Sequence, residues 1–183
     1  KKLSKNSILK IDLSQSIVER NSNDALNLIN NESKNTLEIR QVIEAIEKAK
    51  NDERIRLIYL NFSEISCGIS TIEEIRNKLI DFKECGKKIV AYSNYYSQLS
   101  YLISSVSNKV FINSNGFIDL RGVSVSVVFF QDLLSRLGID IQVVKKGSYK
   151  SAVEPYIQNN MSESSRVQTQ LLVNDFSNFI INK

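Results

Sequence analysis

The 183-residue chain contains no histidine, one proline, one methionine, two cysteines and six glycines. Without histidine, a metal centre would have to rest on carboxylates, and the sequence offers no suitable cluster of them. Cys67 and Cys85 are too few for a disulfide framework and read as two small buried hydrophobes. No apolar run approaches the ~20 residues that a membrane span needs, and no signal-peptide layout is present. The net charge is +4, yet lysines and acids are interspersed and no long basic run with aromatics occurs. A nucleic-acid surface is therefore not indicated, although mild basicity suits a weak, salt-sensitive attraction to an anionic membrane. The chain begins at Lys1 without a methionine, and it is expected to be a piece of a longer protein.

What is present is an ordinary globular composition, 42% hydrophobic and 24% charged, long enough for one domain with a sizeable core. The segment 7–13 alternates as a strand, which 16–19 continues, and the polar stretch 20–34 reads as a surface loop. Asn35 with Glu38 forms a capping box before a helix over 36–50, whose apolar stripe is Leu37, Val42, Ile43, Ile46 and Ala49. A buried strand follows at 55–60. Ser70 with Glu73 opens a second helix over 71–85, with Ile72, Ile75, Leu79 and Phe82 on one face and Gly86 as its stop. Further strands are expected at 88–92, 109–113 and 139–144. Further helices are expected at 96–106, at 129–137 (ended by Gly138) and at 163–180 (capped by Ser162). Apolar strands separated by capped helices predict an α/β fold with a mostly parallel sheet covered by helices.

In such sheets functional groups collect at the carboxyl ends of the strands. That singles out segments 61–69, 93–101, 114–122 and 145–155. The last reads "KKGSYKSAVEP" and holds Gly147, Ser148, Tyr149, Lys150, Ser151, Glu154 and the lone Pro155. A lysine after a glycine turn is commonly just solvated. Desolvated, it becomes a neutral amine and a general base able to take a serine's proton, and serine–lysine dyads work without histidine. Both readings fit the local chemistry.

Two blocks, "GKKIVAYSNYYSQLSYLISSVSNKVFINSNGFIDLRGV" (86–123) and "GIDIQVVKKGSYKSAVEPYIQNNMS" (138–162), resemble the signal peptide peptidase A (protease IV) family, a likeness that extends over nearly the whole chain. "YKSAVEP" followed by "MS" is similar to the amino-terminal repeat of the long, two-repeat form. The resemblance implies a crotonase-like fold, one domain over 1–183 and a bacterial, membrane-associated serine–lysine peptidase that degrades cleaved signal peptides. It implies Lys150 as general base. Active repeats carry a serine before a Gly-Gly-Tyr-like run; here Gln98 stands at that position, Leu99 and Ser100 replace the glycines, and Tyr101 matches the tyrosine. Ser97 and Ser100 lie out of that register. The Gly-rich stretch of the family reads "IDLRGV" and keeps only Gly122, so an oxyanion hole of this chain's own looks degenerate.

The nucleophile is then expected in a missing carboxyl-terminal repeat, and the isolated chain is expected to be inactive. Ser151 and Tyr149 support the lysine, Gly147 permits its turn, and Glu154 with Pro155 shapes the turn beyond it, unless the glutamate instead raises the lysine pKa. The resemblance further implies peptide substrates, no cofactor, no metal, no nucleic acid, a homo-oligomer, and an anchor outside this segment. That anchor would hold the soluble part on the periplasmic side of a bacterial inner membrane. An inert repeat serving assembly and peptide binding is the alternative. A crotonase-type acyl-CoA enzyme has only fold analogy behind it, because no CoA-binding signature is found.

Overall fold

A computed structural model describes residues 3–20, 36–62, 64–144, 147 and 150–183. The chain divides into two compact units, Lys1–Arg121 and Gly122–Lys183. The first unit contains, in order, β1 (Ser7–Asp12), β2 (Ser16–Val18), β3 (Thr36–Glu38), α1 (Ile39–Asn51), β4 (Ile55–Phe62), α2 (Ile69–Glu84), β5 (Lys88–Ser97), α3 (Gln98–Ser104) and β6 (Lys109–Asp119). One sheet has the order β1-β4-β5-β6 with every pairing parallel, so all four carboxyl ends point the same way. This is the α/β architecture that the strand–helix alternation predicts.

Parallel strands are covered by their crossover helices, and the buried residues show where. In α2, Ile72, Ile75, Leu79 and Phe82 are all buried, as the stripe predicts. In α1, Val42, Ile46 and Ala49 are buried together with Ile39, while Ile43 is only half-buried. Against them lie Ile58 and Leu60 of β4 and Ile89 and Ala91 of β5, each fully buried. Each such Leu or Ile contributes about 1.5–3 kcal/mol. Lysines close the helix ends. Lys87 Nζ donates to the carbonyls of Ala49 (2.6 Å), Lys50 (2.9 Å) and Asp52 (2.8 Å), where α1 leaves its last C=O groups without helical partners.

Several expectations are corrected. Residues 16–18 do not extend β1 but pair in parallel with 36–38 as a separate two-stranded sheet. That pairing takes the backbone the first helical turn would have used, so α1 starts at Ile39 with Glu38 as N-cap and no side-chain cap. Asn35, like most of the expected loop over 20–34, lies outside the described residues. Ser70 is not an N-cap either. The Ile72 amide already bonds the Gly68 carbonyl at 3.2 Å, so α2 begins two residues early and Ser70 falls inside its first turn. Gly86 does end α2, and Cys85 beside it is exposed on the solvent side rather than buried. Cys67 is half-buried, and burial pushes its thiol pKa up.

The second unit contains α4 (Gln131–Arg136), a 3₁₀ turn (Ser151–Val153), α5 (Glu154–Ile157) and α6 (Glu163–Ile181). Ser162 caps α6 as expected, its Oγ accepting from the Ser165 amide at 3.3 Å. Gly138 ends α4. The expected strand over 139–144 is absent. Among the described residues the segment joins no ladder, and Ile139, Ile141 and Val144 are exposed. An apolar run becomes a strand only where a neighbour takes its N–H and C=O groups, and periodicity alone does not supply one.

Candidate active site

Gln98 and Tyr101 belong to the first unit; Gly122, Gly147, Lys150 and Ser151 belong to the second. Tyr149 and Ser148, which the sequence also singles out, lie outside the described residues.

In the first unit β5 runs on past the expected end at 92 as far as Ser97, and Gln98 is the first residue of α3. Gln98 therefore sits at a strand-to-helix turn on the carboxyl edge of a parallel sheet, where such folds put their chemistry. The two flanking serines are engaged in building that turn. Ser97 Oγ accepts from the Ser100 amide at 3.3 Å, and Ser100 Oγ donates to the Ser97 carbonyl at 3.0 Å. Ser100 is fully buried. Ser97 Oγ caps α3 and the Ser100 hydroxyl braces the same turn, which suits structural rather than nucleophilic roles.

Tyr101 meets Tyr96 edge to face at 6.2 Å. Tyr96 is itself fully buried, packs on Phe62 at 5.8 Å and donates its hydroxyl to the Phe111 carbonyl at 3.0 Å. Burial pushes its phenol up to about 12, with Tyr59 and Tyr92 adding to the shift. The far end of α3 is held from α2: buried Arg76 donates through Nη1 to the Leu102 carbonyl and to Ser105 Oγ (2.6 Å). Lys83 Nζ donates to the Val106 carbonyl at 2.9 Å. Cations at a helix C-terminus satisfy its last carbonyls and complement its dipole.

Beside Ser97 on the neighbouring strand is Asp119, its register partner. Arg121 grips Asp119 with Nε (2.8 Å) and Nη2 (2.7 Å), and Tyr95 donates its hydroxyl to Asp119 at 3.3 Å. The bond from Arg121 holds the Asp119 carboxyl below the usual range; desolvation, then Asp119, raises the Tyr95 phenol. Arg121 and Asp119 thus form a bidentate ion pair at the carboxyl end of β6.

In the second unit Lys150 immediately precedes the 3₁₀ turn and is exposed, with Ser151 half-buried as the first residue of that turn. Gly147 has φ +101, a conformation that a side chain would strain, so this position favours glycine. Gly122 also has a positive φ, +77. Glu154 is buried, and its carboxylate accepts from both Ser162 Oγ (2.7 Å) and the Ser162 amide (3.2 Å). It shapes the turn, as one of its two readings expects, by tying the residues after Lys150 to the start of α6. Pro155 contributes its carbonyl to the Phe130 amide at 2.6 Å, and Tyr156 stacks on Phe130 at 6.1 Å. The lysine-bearing turn is thereby anchored on α4 as well. Sequence reading passed over Arg76, Ser93 and Gly116. A buried arginine leaves no periodic signal, but the Asn115-Gly116 pair is a turn dipeptide inside a strand and was legible as an irregularity.

Comparison with known proteins bears on the family. The chain is 30% identical over 143 residues to "Protease 4" of Haemophilus influenzae, covering 76% of this chain and 23% of that protein. It is 32% identical over 126 residues to "Protease 4" of Salmonella typhi, covering 68% and 20%. To "Serine protease SPPA, chloroplastic" of Arabidopsis thaliana it is 32% identical over 145 residues, covering 79% and 21%. The chain thus spans about a fifth to a quarter of the length of these curated relatives. Among solved structures, an enoyl-CoA hydratase from Polaromonas aligns with 95% of this chain and 75% of its own at 13% identity, with a TM-score of 0.42. A superposition that loose carries no argument. The profile of peptidase family S49 matches residues 81–183, which hold α3, both tyrosines beside it and the lysine turn; with more than half its length so matched, the chain belongs to peptidase family S49.

Proposed function

We propose that this chain is the lysine-bearing repeat of a bacterial signal-peptide peptidase, with Lys150 as general base and the serine nucleophile supplied by a carboxyl-terminal repeat. The observation that carries this reading is Gln98 opening α3 at the carboxyl edge of the sheet, in a chain of peptidase family S49. An amide side chain cannot attack a carbonyl, and both neighbouring hydroxyls are engaged in the helix cap. The proposed step begins with neutral Lys150 Nζ taking the proton from the serine Oγ as that oxygen bonds to the substrate carbonyl carbon. Collapse of the tetrahedral adduct breaks the peptide C–N bond, and the lysine returns its proton to the leaving amine. Water then cleaves the acyl-serine ester, again with the lysine as base. A lysine is neutral near pH 7 only when desolvated. Exposed in this chain, Lys150 would acquire that surrounding from the second repeat.

Cleaved signal peptides are the proposed substrate, met as a homo-oligomer on the periplasmic side of the inner membrane. Among the described residues no helix is long and apolar enough to cross a membrane, so the proposed anchor belongs to another segment. The full-length protein tests the reading. Lys150→Ala should lower peptide hydrolysis by ~10²–10⁴-fold with the fold intact. Lys150→Arg should be nearly as damaging, since a guanidinium does not give up its proton. The isolated chain should hydrolyse nothing. Near-normal turnover by Lys150→Ala would favour an inert repeat that serves assembly and peptide binding. Turnover by the isolated chain that Ser97→Ala or Ser100→Ala abolishes would place the nucleophile in this repeat.

A further inference from the structure

The alternation of β5 breaks midway. Ile89, Ala91 and Ser93 are buried, then Asn94 is exposed and Tyr96, of opposite parity, is buried. The ladder to β6 breaks at the same place: Ser93 pairs with Ile112 and Tyr95 with Phe117, so Asn94 alone stands opposite residues 113–116. Side chains replace the missing ladder bonds. Ser93 Oγ accepts from the Tyr95 amide at 3.1 Å and has two carbonyls in reach of its one proton, Tyr95 (2.6 Å) and Phe62 (3.0 Å). Asn113 Nδ2 donates to Asn94 Oδ1 at 3.2 Å, and Tyr92 donates its hydroxyl to the same oxygen at 3.0 Å. Gly116 closes the arrangement. A Cβ there would overlap the Asn94 carbonyl oxygen and crowd the Asn113 carbonyl at 3.1 Å.

We propose that this kink, locked by Gly116 and the Ser93 hydroxyl, is a positioning device that sets the face and depth at which residue 98 stands. A strand has a period of two, so without the kink Tyr95, not Tyr96, would share the buried face of Ser93. The kink admits Tyr96 to the core and fixes where Ser97 ends the strand and α3 begins. Bulges next to functional sites re-aim side chains in this way. The inference rests on residue 98 standing at the nucleophile position. Its test reads the location of that residue and not hydrolysis, so it fails separately from the peptidase reading.

The experiment places a single trifluoromethyl-labelled cysteine at 98 (Gln98→Cys) in the full-length protein, with other cysteines replaced by alanine, and follows its fluorine resonance. Gly116→Ala should shift the resonance by more than its linewidth while the circular dichroism stays native-like. Gly68→Ala is the control, since a Cβ there would touch nothing within 4 Å, and it should leave the resonance in place. Ser93→Ala adds no atom and should shift the signal as well. An unmoved resonance in folded Gly116→Ala, or an equal shift in Gly68→Ala, overturns the proposal. Should Gly116→Ala not fold, Ser93→Ala decides alone: a shift supports the device and an unmoved signal overturns it.

Discussion

Replacing Arg76 by methionine tests how α3, and with it residue 98, is held. Arg76 is only 5% exposed and gives two charge-assisted bonds to the last turn of α3, at the Leu102 carbonyl and Ser105 Oγ. Hydrogen bonds to a charged group are each worth about 1.5–3 kcal/mol, a gross loss of about 3–6 kcal/mol. Part of this returns, because methionine removes a guanidinium held out of water, whose desolvation also lowers its pKa. The Leu102 carbonyl, moreover, keeps the Ser105 hydroxyl at 2.9 Å. The balance is about 2 kcal/mol of destabilisation. Denaturant unfolding measures it globally, and hydrogen exchange measures it locally. The amides of Ser105, Val106 and Ser107 bond to Tyr101, Ile103 and Ser104 and should lose about 30-fold in protection. Arg54 pairs with Asp52 on the surface, where solvent screens the pair, so Arg54→Met should leave stability nearly unchanged. If Arg76→Met is as mild as Arg54→Met and leaves α3 protection unchanged, the clamp does not hold the helix.

Tyr96 predicts a pH dependence. Its phenol keeps its proton up to about 12 in the folded chain, against 10.0 ordinarily, so its contribution to stability is complete below pH 10 and is lost as the pH rises to about 12. Unfolding free energies between pH 8 and 12 should fall less steeply in Tyr96→Phe than in the parent; equal slopes refute the assignment. In the second unit, Ser162→Ala removes a helix cap and a donor to buried Glu154, and should cost about 2–3 kcal/mol by thermal or denaturant unfolding. Ser162→Thr keeps the hydroxyl and should retain most of that stability, and equal losses in the two variants would refute the capping role.

Much of the first unit was legible because burial imposes a period. Ile72, Ile75, Leu79 and Phe82 share a face at helical spacing, and "IRLIYL", apolar but for Arg56 and set between helical patterns, fits a covered strand. Helix starts were less legible. Asn35 and Ser70 have the right chemistry for capping, but pairing of β3 with β2 and the Gly68–Ile72 bond decide where the helices begin, and neither is local information. The strands are expected to stop at 92 and 113, and 96–97 to be helical, because the apolar pattern ends there while side chains of Ser93, Asn94 and Asn113 carry the backbone bonds that follow. At the candidate site, Gln98, which the Tyr101 match singles out, is the first helical residue, a position that spacing alone does not give. The engagement of Ser97 and Ser100 in a cap, and the grip of Arg121 on Asp119, depend on side-chain geometry that spacing does not encode.

The all-parallel sheet has a consequence for how the chain reaches its structure. No two neighbouring strands of it can close through a tight turn. Ser7 finds its partner only at Ile55, and β4 finds β5 only after α2 has been made. Each pairing closes a long loop before any contact rewards it, which slows folding. As the chain is synthesised, β1 must wait for β4, and its apolar residues stay open to other partners meanwhile. At the other edge, β6 exposes Phe111, Phe117 and Ile118, and among the described residues its second side pairs with no strand. Self-association of nascent or truncated chains should therefore begin at β6, and Phe117→Lys should suppress it while giving up the ring contact of Phe117 with Tyr95 at 4.8 Å.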